Sequence, residues 1–550
     1  MKRRHSFIVS TAAATWLLAV PVPLRAQELG TISFPTSGAP AAQAAFIEGV
    51  KNLHSFEFDE ARQAFREAQQ KDPSFAMAYW GEAMSYNHPL WAEQDTTAAK
   101  GALERLAPTR DGRLAKAPMS KEKAYLEAVD VLLYGPGDKL ARDIAYSDAM
   151  SRLYERYPSD HEVATLYALS LLGTVRPTDR GFRRQVLAAS VAQKVFQENP
   201  KHPGAAHFMI HSFDDPDHAL LALPAARVYA GIAPAAPHAL HMPSHIFVQL
   251  GIWEDVAASN KTAYEAAIAL IKRRHLPEGR EDFHTLSWLA YAHEMLGRYD
   301  QAKDCLELAR AAAERNSGNP RVRNGYLSMK ARYILESQRY EKIVLGGAMS
   351  TSAADAGEHA AMPGMTHDYN ANADLLLAAG ISAAKLGDLA TAEQARSELR
   401  ALREKTEAGP TAYRAKSMAI MEREVAAHIA LAKKQDDEAL RVMKEAAELE
   451  LSLDRPSGPP EPIKPATELF GEILLDLGRP KEAAAQFEQS LLRIPKRTPS
   501  LFGLARAAAK AGDRVTAQHS YSELVKIWAA AGPGFAPLQE AQQFLKSGNE

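Results

Sequence analysis

The sequence predicts an all-α solenoid of stacked helix-turn-helix units, and three observations carry that expectation. Within Pro203 to Ala263 the chain repeats itself: Pro203 and Pro237, His207 and His241, and His211 and His245 each stand 34 residues apart. Fixed periods of roughly 20–50 residues are the signature of arrays in which each unit buries its apolar face against the next. Small residues, large apolar residues and a helix-stopping proline also recur in one phase at both ends of the chain. Finally, no apolar/polar alternation is long enough for a buried strand.

A 34-residue period is that of the tetratricopeptide repeat, which asks for small residues at positions 8 and 20, a large apolar one at 24 and a proline near 32. With Ala42 as position 1, Gly49, Ala61, Phe65, Ala68 and Pro73 answer it. The next unit, from Ala76, directs Trp80, Met84, Asn87 and His88 toward the concave groove. Pro, Gly and charge then rise over 106–121, which reads as a loop. His161 to Ala168 reads as another first helix, with Glu162 at position 2 on the groove side, and a loop over 173–183 precedes its partner. In the two histidine units the paired residues fall at positions 5 and 9, one helical turn apart on a shared face. Pro243 falls inside the first helix of its unit, where proline costs about 3 kcal/mol or kinks the helix unless the helix starts there. Phe283 to Ala309 resumes the pattern and puts His284 at position 2, as His238 is in its own unit.

Gly346 to Gly364, rich in Gly, Ser and Ala, reads as a mobile loop. Repeats return over 373–399 and 420–446, Pro456 to Pro462 makes a rigid break, and two regular units start at Lys464 and Thr498. The expected organisation is a signal segment over 1–26, N-terminal repeats over 27–170, central histidine-rich repeats over 171–345, a loop over 346–366 and C-terminal repeats over 367–550.

The opening MKRRHSFIVSTAAATWLLAVPVPLRAQ has basic Lys2, Arg3 and Arg4, an apolar run from Phe7 to Val20 and Ala26 before Gln27. It reads as a secretory signal cut after Ala26, by the general or the twin-arginine route, since the run is shorter than the roughly 20 residues of a membrane span. The expected location is therefore periplasmic or secreted, with no integral membrane segment left after cleavage. Cleavage leaves 61 basic against 67 acidic residues, a net of −6, and no basic stripe for nucleic acid. The single cysteine, Cys305, forbids an internal disulfide and reads as a small core residue.

His207 to His211, the run His-Met-Pro-Ser-His-Ile over 241–246 and Gly-Glu-Ile-Leu-Leu over 471–475 are three further landmarks. On these the chain resembles a group of exported bacterial tetratricopeptide-repeat proteins, largely uncharacterised. The resemblance implies the fold and export, and it implies no activity.

Residues 202–245 hold seven of the 17 histidines left after cleavage, a density that chance does not explain. Adjacent packed helices lie about 8–10 Å apart, so His207, His211, His241 and His245 are expected to converge on one divalent transition metal: zinc, copper, nickel or iron. A carboxylate such as Glu162 or Asp214 would complete the set, and an open position would make the site catalytic through metal-bound water. No His-Glu-x-x-His, phosphate loop or nucleophile elbow is present, so no catalytic residue is assigned. Two functions follow: a scaffold binding a protein, peptide or small ligand in its concave groove, with Glu162, His238, His284, Trp80, Asn87 and His88 lining it; or a metal-dependent hydrolase or oxidoreductase built on the groove histidines.

Overall fold

Phe65 shows why the phase of the repeats is kept. Its ring is fully buried between two glycines: a Cβ on Gly49, in its own unit, would lie 2.7 Å from the ring, and one on Gly81, in the next, 2.3 Å. The same wedge recurs near the other end, where Phe487 sits between Gly471 and Gly503. Helices meet closely only where the side chain between them has somewhere to go. Replacing Gly503 by alanine would put a methyl 2.2 Å from Phe487 Cζ, and overpacking of this kind typically costs about 1–3 kcal/mol. Chemical denaturation of Gly503→Ala should show that loss, and Phe487→Leu in the same chain should return part of it.

The computed structural model describes residues 28–176, 179, 181–277, 279–345, 371–407 and 412–547. The signal segment and the Gly346 to Gly364 segment expected from sequence lie outside the described residues. Within them the chain is an all-α solenoid of antiparallel helix pairs, from Pro40–His54 with Phe58–Lys71 to Thr498–Ala511 with Arg514–Ile527. The strands among the described residues are Asn87–His88 and Glu93–Gln94, which close a hairpin over Pro89–Trp91. The expected loop over 106–121 contains one short helix, Arg110–Ala115, started by the Thr109 hydroxyl accepting from Gly112 N.

The expectation of an open concave groove beside the histidines is corrected by how the array ends. It folds back on itself from both directions. Extended residues after Glu28 run along the central units, with Thr31 N donating to the Lys201 carbonyl at 2.9 Å and Asn199 Nδ2 to that of Thr31 at 2.8 Å. The loop after helix Pro40–His54 then brings Phe56 against the central histidines. From the other end, Trp253 Nε1 donates to the Lys496 carbonyl at 2.9 Å, and Thr498 Oγ1 and Trp528 Nε1 both donate to that of Met295. The non-helical stretch over 456–462, legible as a break, crosses to the centre: Gln249 Nε2 donates to Pro456 O at 2.9 Å, and Gly458 lies on the ring of Trp288. Groups that an extended solenoid would show to solvent are thus packed inside.

Candidate metal centre

Helix Pro203–Ser212 carries His207 and His211; the next unit is split into Pro237–His241 and Pro243–Leu250. Met242 joins the two pieces with helical φ −53° and ψ −35°, and Pro243 occupies the first turn of the second, where its missing N–H costs nothing. His238, His241 and His245 therefore keep a helical register. His284 comes from helix Phe283–Met295.

The four histidines expected to share one ion instead divide between two triads, each completed by a residue expected in the groove. His207, His211 and His238 form one; His241, His245 and His284 form the other; within each, one ligand atom per residue lies within 4.8 Å of the rest. Both obey one rule, positions 5 and 9 of a unit with position 2 of the next, so the second triad is the first carried forward by one step of the solenoid. The triads are neighbours, with ring centroids 6.1 Å apart between His211 and His245 and 6.4 Å between His238 and His241.

Hydrogen bonds behind the rings fix which nitrogen carries the proton. His207 Nδ1 lies 2.7 Å from the His54 carbonyl, which can only accept, so Nδ1 is protonated and Nε2 presents a lone pair. His245 Nδ1 is held likewise by Asp214 Oδ2 at 2.6 Å. His241 Nδ1 is held by Asn260 Oδ1 at 2.7 Å, and Asn260 is oriented by its Nδ2 donating to Val256 O; Ser244 Oγ stands farther off at 3.4 Å. Such acceptors behind the ring orient and strengthen metal-binding imidazoles. Asp214, expected as a ligand, therefore stands behind His245.

The consequence is sharpest in the second triad. His241 and His245 face each other Nε2 to Nε2 at 3.0 Å, and His284 Nε2 is 3.0 Å from that of His241, so three ring nitrogens converge; with both His241 and His245 protonated on Nδ1 alone, the first two meet through lone pairs. Lone pairs at that distance repel unless a cation lies between them. Two nitrogens bound tetrahedrally to one ion at about 2.0–2.1 Å would be about 3.3 Å apart, close to this spacing. In the first triad, His207 and His238 Nε2 are 3.1 Å apart, and His211 Nε2 is buried with no hydrogen-bond partner among the described residues. Burial pushes His207 down to about 3, while burial and neighbouring histidines hold His211 and His238 well below the ordinary imidazole range. All three are neutral donors at neutral pH.

A third cluster, His54, Glu162 and His202, looks alike and behaves differently. His202 Nδ1 accepts from Ala205 N at 3.2 Å, so its proton is on Nε2, which donates to Glu162 Oε1 at 3.1 Å and has no lone pair for a metal. His54 Nε2 meets Glu162 Oε2 at 2.7 Å. Burial alone would raise the Glu162 carboxyl, but His54 and His202 hold it at about 2. This closed set fixes His54, whose carbonyl orients His207. Glu162, expected in the groove, is 0% exposed and positions from behind.

Three other groove candidates are placed elsewhere. Trp80 is 0% exposed, packed against Tyr125 and Phe34, because the first turn of the array is covered on every side. Asn87 is buried and accepts from Gln94 Nε2 at 2.9 Å, and His88 lies on the Phe58 ring at 4.2 Å. An open groove of about 810 Å³ lies in the C-terminal repeats, where Arg400, Arg403 and Arg441 alternate with Glu393, Glu422 and Glu445. Sequence reasoning missed the His54 and His202 pair and Asn260, for which spacing offers no signal.

No protein-family model and no curated protein matches the chain. Among solved structures it is similar to the TPR domain of P58(IPK) (12% identity, 86% of this chain and 98% of that one, TM-score 0.23), to yeast Tom70 (14%, 92% and 95%, 0.28) and to a monomeric mutant of IFIT1 with Gppp-AAAA (11%, 90% and 95%, 0.33). At those scores the likenesses carry no argument about function. The fold rests on the chain's own geometry: it is an all-α, tetratricopeptide-type solenoid.

Proposed function

We propose that the protein is a solenoid scaffold built around a pair of transition-metal ions, one in each histidine triad. The observation that carries this reading is the convergence of three Nε2 atoms, those of His245 and His284 each 3.0 Å from that of His241, repeated as a second triad one unit earlier. Nitrogen donors from six imidazoles suit zinc, copper, nickel or iron and do not suit magnesium or calcium. We place the protein outside the cytoplasm on the strength of its N-terminal segment. The protein, peptide or small ligand expected from sequence would sit in the C-terminal groove of mixed charge.

Metal analysis tests the centre directly. Protein reconstituted with one transition metal and desalted is expected to retain two ions per chain. His241→Ala with His245→Ala should retain one, and Glu162→Gln should still retain two, since Glu162 is not a ligand. A parent protein that retains none refutes the proposal.

A further inference from the structure

The two triads leave open a question that their donors and surroundings answer together: which metal they hold, and what binds between the ions. All six donors are imidazoles, which bind a metal through an uncharged nitrogen; neither triad contains a carboxylate or a thiolate. Two divalent ions would bring four positive charges into a buried site with neutral ligands, whereas two cuprous ions bring two, and burying charge is costly in proportion to what is left uncompensated. The Asp214 carboxylate behind His245 is a counter-charge nearer to the smaller sum than to the larger. Imidazole is a good ligand for copper in both of its common oxidation states.

Three protein ligands leave each ion with an unfilled position. The shape of the compartment limits what can fill it. Phe56 roofs the first triad, with ring centroids 4.4, 5.6 and 5.5 Å from His207, His211 and His238. Trp288 roofs the second, 4.6, 5.0 and 5.3 Å from His245, His241 and His284, and the backbone at Gly458 is pressed on that indole. Four of the six imidazoles, His207, His238, His241 and His284, are buried, and only His211 and His245 are partly open, on facing members of the two triads. The ligand must therefore be very small, able to cross apolar packing and able to touch two ions at once.

The geometry points to a pair of cuprous ions that binds dioxygen between them. The inference rests on the two-metal reading above. The step balances within the site: each cuprous ion gives one electron, dioxygen takes both and is reduced to the level of peroxide, and both ions become cupric. The O–O bond order falls from two to one, no bond to carbon or hydrogen is made or broken, and no proton is needed. Return of the two electrons releases dioxygen.

The test uses the full chain, loaded with copper(I) under argon, desalted and then exposed to oxygen. Two coppers per chain, uptake of one dioxygen for each pair, a new near-ultraviolet absorption and no cupric paramagnetic signal, because the two spins couple, are the expected results; an argon purge should reverse them. His284→Ala, which opens one triad, should reduce oxygen uptake to nil while one copper stays bound. Two coppers without oxygen uptake, or two zinc ions where copper does not bind, overturn this inference and leave the two-metal reading standing. Equal uptake by the His284→Ala variant overturns the placement between the ions. Failure to bind any of these metals overturns both.

Discussion

Replacing Arg497 by alanine is expected to destabilise the fold by about 3–5 kcal/mol, the usual cost of leaving a buried charge without its partner. The guanidinium is fully buried where the C-terminal repeats return onto the central ones. Its Nη2 reaches Glu336 Oε1 at 2.6 Å and Glu468 Oε1 at 2.8 Å, its Nε reaches Glu468 Oε2 at 2.7 Å, and its Nη1 donates to the Tyr291 hydroxyl at 3.2 Å. Without it two carboxylates from different repeats would be left facing each other, with Lys464 the remaining cation on Glu468 at 2.7 Å. Arg497→Lys keeps the charge and loses the planar fork, so its loss should be intermediate. The same network sets an acid limit. Burial alone would raise Glu468, but Arg497 and Lys464 hold it at about 2, below its ordinary value of 4.5. A depressed carboxyl contributes stability that is present above the unfolded value and is lost as pH falls through the folded one, here from 4.5 down toward 2. Denaturation midpoints of parent and Arg497→Ala, taken between neutral and acid pH, should therefore converge.

Adding metal to the apoprotein is the second large effect. An ion held only by the folded chain stabilises it by RT ln(1 + [L]/Kd), about 2.7 kcal/mol at a hundredfold excess over Kd, for each independent site. The melting temperature of the parent should rise accordingly. His207→Ala with His245→Ala removes one ligand from each triad and is expected to lose most of that gain. Because the His207 ring is buried and the His245 ring is mostly so, the double variant should also melt below the parent before any metal is added. The exposed His519 supplies the control: His519→Ala should respond to metal as the parent does. An equal response from the double variant would show that the stabilising ions bind elsewhere.

The 34-residue phase made the fold legible because it is enforced locally. Phe65 must find Gly49 and Gly81, and Phe487 must find Gly471 and Gly503, wherever the units sit. The same phase pointed to His207, His211, His241 and His245 by their spacing. It did not show which of them meet. Position 2 of the following unit completes each triad, and that depends on the superhelical turn between units, which is 34 residues for one pair and 46 for the other, lengthened by helix Trp253–Arg273 and the residues after it. His238 and His284 carried a signal all the same, since both hold position 2. Trp80 and Glu162 were expected in a groove because a first helix of an open array has a solvent-facing side; here the array returns on itself and that side is packed. The bond from His54 to Glu162 spans 108 residues, and no local pattern announces it.

The wrap around the histidines has a kinetic side. The roof over the triads is assembled from Phe56, near the start of the described chain, and from Gly458, some four hundred residues later. During synthesis all six imidazoles emerge long before Gly458 does, so an ion can reach them in a nascent, unroofed state. Once residues 456–462 have crossed, the second triad is covered on the Trp288 side by a segment held by the Gln249 bond to Pro456 and the Arg455 pair with Asp217. Exchange of an ion held in that triad would then depend on local opening of the chain as well as on the strength of the metal–nitrogen bonds. Chelators would then remove such an ion more slowly than its equilibrium affinity alone would set.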